Sequence, residues 1–183
     1  FISCSGRQTS HKPLQSEMNV KSDTGLLFDG KSLQGWEITN FGPQGPVYVS
    51  GDKIILGMGD GCTGITWKSD FPVMDYEVTL EAMYTEGNDF FCGMTFPVGK
   101  DPCSLIVGGW GGSTVGLSCI DGKDASENST TTLMKFEKNH WYSISLSVSE
   151  TEIVAMIDSA IVINFPTVNH KLSIRPEVEL SRP

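Results

Sequence analysis

Three side chains have the chemistry of general acids and bases and stand where a folded chain could present them to a ligand. Glu81 lies on the polar side of an alternating segment, Asp89 precedes an apolar segment, and His140 precedes another. Hydrolysis of a glycosidic bond needs two carboxyl groups at a defined separation, and histidine is the commonest general base. The sequence therefore offers Glu81 and Asp89 as an acid–base pair, with His140 as a further base. Ordinary polar edge residues are the competing interpretation.

Trp110 stands among four glycines in the segment Gly108-Gly109-Trp110-Gly111-Gly112. A backbone without side-chain bulk can present an indole, and a large rigid indole suits stacking on the apolar face of a pyranose. We predict that Trp110 binds substrate, the alternative being a glycine-rich turn with the indole packed inward. A phosphate loop is disfavoured because no Lys-Ser/Thr pair follows the glycines.

An acidic loop after residue 119 brings Asp121, Asp124, Glu127 and Asn128 within eight residues. Oxygen donors of this kind hydrogen-bond sugar hydroxyls or bind Ca²⁺. We expect Asp121, Glu127 and Asn128 to contact substrate, and a divalent metal such as calcium is a possible cofactor. The spacing lacks the order of a known calcium loop, and a solvated acidic loop is the alternative.

The elements that must position these side chains are strands. Apolar residues alternate with polar ones from Tyr76 to Ala82 and from Tyr142 to Ser149, the period of a half-buried strand. Further short strands are predicted at Trp36–Thr39, Val47–Val49, Lys53–Leu56, Gly64–Trp67, Phe90–Phe96, Leu105–Val107, Val115–Cys119, Ile153–Ile157 and Ile161–Phe165. Many short strands with turns between them predict an all-β sandwich or barrel.

The predicted strand Phe90–Phe96 has two chemically different faces. Phe90, Cys92, Met94 and Phe96 fall on one side and are expected in the core. Gly93 falls on the other side with Thr95 and could leave room there for a sugar, with Asp89 at the rim.

Composition and charge limit the classes of partner that the protein is expected to bind. The 183 residues carry a formal net charge of −9, which repels phosphate backbones and argues against nucleic acid. No run of 18 apolar residues occurs, so the sequence predicts no membrane-spanning helix.

Three disulfide pairings are open to the four cysteines Cys62, Cys92, Cys103 and Cys119. Cys92 with Cys103 across a hairpin is one of them. The alternative is that the cysteines remain buried thiols.

The N-terminal residues predict export. Phe1-Ile2-Ser3-Cys4 resembles the end of a bacterial lipoprotein signal, in which the cysteine becomes the lipidated terminus. Because there is no initiator methionine, we expect the chain to begin within a longer precursor. Residues 1–24 then form a lipoprotein-like tail and flexible tether, and the protein is extracytoplasmic, in the periplasm or at the cell surface, touching the membrane only through a lipid on Cys4.

Two segments carry a resemblance to a known family. The stretch LLFDGKSLQGW, Leu26 to Trp36, resembles the opening signature of the 3-keto-disaccharide hydrolase domain family, and Asp89 to Val98 also resembles that family. The resemblance implies that residues 25–183 form a concanavalin A-like jelly-roll β-sandwich. In that family one or two closing strands normally follow the last segment seen here, so we expect the domain to be incomplete at its C-terminus.

The same resemblance implies a carbohydrate-active protein that cleaves glycosidic bonds of 3-keto or plain disaccharides or glucosides. Such enzymes are thought to abstract a proton beside the carbonyl, a reaction for which His140 is the predicted base. The Glu-x-Asp-x-x-Glu strand signature of retaining sandwich glucanases is missing from the sequence. The alternatives are a non-catalytic carbohydrate-binding module of a cell-envelope lipoprotein and a purely structural envelope role.

Overall fold

Two four-stranded antiparallel sheets form the body of the protein in a computed structural model, which describes residues 25–183. The predicted lipidation site, Cys4, and the rest of the predicted tether lie outside the described residues. The strands are β1 Trp36–Ile38, β2 Val47–Ser50, β3 Lys53–Leu56, β4 Ile65–Trp67, β5 Tyr76–Ala82, β6 Cys92–Val98, β7 Asp101–Gly109, β8 Thr114–Ser118, β9 Thr132–Leu133, β10 Tyr142–Val148, β11 Glu152–Ile157 and β12 Ala160–Pro166.

The sandwich consists of a front sheet and a back sheet. The front sheet has the strand order β6-β7-β8-β9, and the back sheet has the order β12-β11-β10-β5. Alternate apolar residues of both sheets meet in one buried cluster, which includes Leu105, Val107, Val115, Leu117, Ile144, Leu146, Ile153 and Phe165. Burial of this apolar surface is the main favourable term in folding. The predicted all-β sandwich is confirmed, while its assignment to the jelly-roll type stays a prediction.

Two smaller antiparallel ribbons, β1–β4 and β2–β3, come from the N-terminal part of the chain. A turn precedes β1, in which the carboxylate of Asp29 accepts hydrogen bonds from the backbone N–H groups of Lys31 and Ser32. Trp36 then packs edge-on against Trp67, with ring centroids 5.1 Å apart, and its indole N–H donates to the carbonyl of Leu27. Trp36 is half-buried and anchors this ribbon.

The outer face of the front sheet is partly covered by two segments, the β8–β9 loop and the C-terminal residues. A Cβ placed on Gly116 of β8 would lie 2.9 Å from the carbonyl oxygen of Ala125, so the loop rests directly on the sheet there. In the C-terminal segment, Pro176–Ser181 form a 3₁₀ helix. The hydroxyl of Ser181 lies 3.1 Å from that of Thr95 on β6.

The strand register separates Cys92 and Cys103, one of the disulfide pairings that the sequence allowed. Cys92 pairs with Val107, whereas Cys103 pairs with Phe96, so the two thiols do not face each other. Within residues 25–183 all four cysteines are free thiols. Cys103 is fully buried, Cys92 packs against the core, and Cys62 is exposed.

Burial makes two of these thiols unreactive. It raises the pKa of both Cys92 and Cys103 to about 12, and only the thiolate is nucleophilic. At pH 8 we expect iodoacetamide to alkylate Cys62 in the native protein, and Cys92 and Cys103 only after unfolding, as read by peptide mass mapping. Because the folded pKa is raised, the stability that these thiols contribute is lost as pH rises from 9.0 toward 12. Rapid native labelling of Cys103 would contradict this account.

Candidate functional site

An aromatic patch lies beside the turn that joins β7 to β8. We define it as Phe90 and Trp110, whose ring centroids are 5.0 Å apart. Phe90 is 46% exposed and Trp110 is half-buried. The predicted indole platform is therefore one part of a pair, in which the phenyl ring presents the larger open surface.

Unusual backbone conformations hold this pair together. Phe90 has φ 47° and Trp110 has φ 49°, a left-handed region that bulky side chains rarely adopt. The N–H of Phe90 donates to the carbonyl of Gly108, and a Cβ on Gly112 would lie 2.4 Å from the carbonyl oxygen of Asn88. The glycines thus allow the two turns to approach closely. Strained residues of this kind persist where the surroundings enforce them, often at ligand sites.

The left-handed conformation of Phe90 also corrects one prediction. The alternation from Phe90 to Phe96 put Phe90 in the core, but the strand begins only at Cys92. Because the chain bends at Phe90, its ring turns outward, and Phe91 takes the inner position instead, against Phe136 and Tyr142. Cys92 and Phe96 face the core as predicted.

Gly93 marks an open point on the outer face of the front sheet. This residue is exposed, and a Cβ built there would meet no atom within 4 Å. Its cross-strand neighbour, Ile106, approaches Gly109, which in turn lies against the ring of Phe90. Ile106 and Gly109 are both buried, so they provide no exposed connection between Gly93 and the aromatic patch.

A charged group lies on the other side of Trp110. The guanidinium of Arg175 lies over the indole, 5.5 Å from the ring centroid, and its Nη1 donates to Oδ2 of Asp124 at 3.0 Å. The hydrogen bond from Arg175 to Glu177 raises the pKa of the guanidinium further, so it stays charged. A cation over an indole face is an attractive arrangement. The patch thus combines apolar rings with hydrogen-bonding groups at its edge.

The three predicted substrate contacts of the acidic loop differ in role. The side-chain amide of Asn128 donates to the carbonyls of Leu117 and Asp124 at 2.7 Å each, and its oxygen accepts from Thr130. This amide holds the loop together and has no free donor for a sugar. The side chain of Glu127 is exposed and forms no hydrogen bond or ion pair with the other described residues. The third contact, Asp121, is hydrogen-bonded to the segment that follows β12.

Loss of the Asn128 amide should loosen this loop. We expect Asn128→Ala to lower the free energy of unfolding by about 1–3 kcal/mol, because buried carbonyls and the Thr130 N–H lose their partner. Chemical denaturation measures the change. The neighbouring exposed substitution Glu127→Gln is the control and should stay within about 0.5 kcal/mol of wild type. Equal stabilities for the two variants would refute the structural role of Asn128.

A histidine that the sequence did not select has a carboxylate partner. Nδ1 of His170 lies 2.7 Å from Oδ2 of Asp121, while Oδ1 of Asp121 accepts from the N–H of Lys171 at 2.8 Å. The hydrogen bond from the Lys171 backbone, followed by that from His170, lowers the pKa of Asp121. His170 also lines a groove at the edge of the back sheet.

The predicted catalytic residues are not gathered into one site with the patch. Glu81 points outward from β5 on the back sheet, because its neighbours Leu80 and Ala82 face the core, whereas the patch belongs to the front sheet. His140 packs on the ring of Tyr142, with centroids 4.7 Å apart. Among residues 25–183, no hydrogen bond joins the side chains of Glu81, Asp89 and His140. Only Asp89, adjacent to Phe90 in the chain, belongs to the surroundings of the patch.

Neither a metal-binding cluster nor a membrane-spanning helix is found among residues 25–183. No group of three or more His, Cys, Asp or Glu side chains between residues 25 and 183 could hold a metal ion. Asp121 and Asp124 turn to His170 and Arg175 rather than to a common point. No helix in this part of the chain is long and apolar enough to cross a membrane.

Comparison with known proteins identifies no relative: no family model, curated protein or solved structure matches the chain. Its functional residues are therefore assigned from geometry. Sequence reasoning missed Phe90, Arg175 and His170. The run Gly108–Gly112 signalled the turn, but nothing in the sequence signalled the contact between positions 121 and 170.

Proposed function

We propose that the protein is a carbohydrate-active domain that binds a disaccharide or glucoside across the aromatic patch. The observation that carries the proposal is the contact of Phe90, which is 46% exposed, with the half-buried Trp110, their ring centroids lying 5.0 Å apart. Aromatic rings bind the apolar face of a pyranose, and polar groups at the edge bind its hydroxyls. Arg175 and Asp124 supply such groups, although each also satisfies the other.

The resemblance to 3-keto-disaccharide hydrolases supports cleavage of a glycosidic bond as the reaction. Asp89 is the carboxylate we assign to this chemistry, because it precedes Phe90 and is exposed. Glu81 and His140 lie elsewhere, so the site in this form has a single carboxylate. That carboxylate suits a base that abstracts a proton beside a 3-keto carbonyl, whereas direct hydrolysis would need a second carboxyl group. The sequence Phe1–Cys4 supports an extracytoplasmic protein that is lipid-anchored at Cys4.

A non-catalytic carbohydrate-binding module is the second candidate. It is favoured by one observation, that Glu81 lies on the outer face of the back sheet and therefore does not join Asp89 as the second carboxyl group of a hydrolytic pair. In this form the patch binds sugar and the protein performs no chemistry.

Incubation of the full chain with trehalose and with 3-keto-trehalose, with and without Ca²⁺, separates these candidates. Product formation and binding heat are followed together. The control variant is Asp101→Asn, because Asp101 is an exposed carboxylate at the β6–β7 turn. Turnover that is lost in Asp89→Asn but retained in Asp101→Asn supports the enzymatic function. Saturable binding without turnover supports the module. If neither sugar is bound or turned over, both candidate functions are contradicted.

A further inference from the structure

A groove of about 400 Å³ runs along the edge of the back sheet. One side is Val162–Pro166 of β12, the other is formed by Ser129, Thr130 and Thr132, and His170 lies at the margin. Within residues 25–183, β12 pairs only with β11, so its other edge faces this groove. The volume falls within the range of small-molecule sites.

One ring nitrogen of His170, Nδ1, is hydrogen-bonded, and among the described residues the other, Nε2, is not. Nδ1 contacts the carboxylate of Asp121 at 2.7 Å, and a carboxylate can only accept, so the proton of this bond belongs to Nδ1. In the neutral ring Nε2 is then an acceptor with an available lone pair. Nε2 forms no hydrogen bond to any residue from 25 to 183.

The bond between Asp121 and His170 is not required to hold the two segments together. The N–H of Asp121 donates to the carbonyl of Lys171, Oδ1 of Asp121 accepts from the N–H of Lys171, and Ile120 forms a β-bridge with Leu172. These backbone contacts already fix the position of the loop. What the carboxylate adds is the orientation of the imidazole and the tautomer of its neutral form, and Phe165 supports the ring at a centroid distance of 4.8 Å.

We propose that this groove is a second ligand site, distinct from the aromatic patch, for a neutral polyhydroxylated molecule of monosaccharide to disaccharide size. Nε2 of His170 accepts a hydrogen bond from a ligand hydroxyl, and Asp121 holds the neutral ring in the tautomer that has its proton on Nδ1. His170 is thus a binding residue and Asp121 is a positioning residue.

The lining explains this ligand class. Ser129 and Asn164 bring a hydroxyl and an amide group that both donate and accept, and Val162 brings apolar surface. The hydroxyl of Thr132 donates to the carbonyl of Val162 at 3.4 Å and remains an acceptor. Asp121 and His170 are the titratable pair at the groove, with Lys171 next in the chain. The carboxylate of Asp121 disfavours an anionic ligand, and no carboxylate lines the groove itself to attract a cation.

Nuclear magnetic resonance of the ¹⁵N-labelled full chain at pH 8 tests the proposal. We expect long-range ¹H–¹⁵N spectra to show His170 protonated at Nδ1, and trehalose, sucrose or methyl glucoside to shift its Nε2 signal in a saturable way. His140 is the internal control and should not respond. Trp110→Ala should leave the His170 response unchanged, so that failure at the patch and failure at the groove are told apart.

Two variants give the decisive readouts. Asp121→Asn can still accept from Lys171, but its amide N–H₂ would face Nδ1 and donate to it, so we expect the proton of the ring to move to Nε2. Asn164→Ala removes one polar partner, and each variant should weaken binding about fivefold. A proton on Nε2 in the wild-type protein, or an unresponsive His170 with all three sugars, would overturn the proposal.

Discussion

Replacing Leu146 by alanine is expected to lower the free energy of unfolding by about 2–5 kcal/mol. Leu146 is fully buried at 0% exposure and lies on β10, a central strand of the back sheet. It pairs with Val78 of β5 on one side and with Ala155 of β11 on the other. Because neighbours on both sides are held by their own strands, the site can collapse little, and a cavity remains.

Urea denaturation followed by circular dichroism measures this change. The control is Ser145→Ala, one residue away on the opposite face of the same strand, which should change the free energy of unfolding by no more than about 0.5 kcal/mol. A loss below about 1 kcal/mol for Leu146→Ala would show that the two sheets do not pack as described.

Trp110→Ala is expected to weaken carbohydrate binding about 30-fold, equivalent to about 2 kcal/mol. The substitution removes half of the aromatic patch and also the surface on which the guanidinium of Arg175 lies, so Phe90 loses the ring that holds it. Aromatic anchors commonly supply a large share of binding energy, which is the reason for an effect of this size.

Calorimetric titration with trehalose and 3-keto-trehalose measures the affinity. Trp141→Ala is the matched control, because Trp141 is 41% exposed but lies outside the patch, near Lys53. The affinity of the Trp141→Ala variant for both sugars should equal that of the wild-type protein. Equal losses in the two variants would mean that the effect comes from general destabilisation rather than from the patch.

The strands that could be predicted are those with an uninterrupted alternation. In β5 and β10 every second residue is apolar, and the observed bounds, Tyr76–Ala82 and Tyr142–Val148, agree with the pattern because one face of each strand is core. The short strand β9, Thr132–Leu133, was not predicted, because two residues are too few to show an alternation of apolar and polar side chains. On the polar face of β10, Ser145 and Ser147 are half-buried.

The candidate site was harder to predict because its determinants are not periodic. A left-handed φ at Phe90 turns its own ring outward and lets Phe91 take the inner position, and the sequence shows no glycine there to announce it. The contact between Asp121 and His170 joins positions 49 residues apart in the chain, and Arg175 reaches Trp110 only because the C-terminal segment folds over the front sheet. Such contacts depend on topology, which composition and spacing do not specify.

The most direct test of the central claim, that carbohydrate binds at the aromatic patch, is to follow the four tryptophan indole N–H signals during titration with trehalose and 3-keto-trehalose. Trp36, Trp67 and Trp141 lie outside the patch and serve as internal controls. We predict a saturable shift of the Trp110 signal with at least one of the two sugars, while the other three signals stay in place. An unmoved Trp110 signal with both sugars, or shifts confined to the other three tryptophans, would contradict the account.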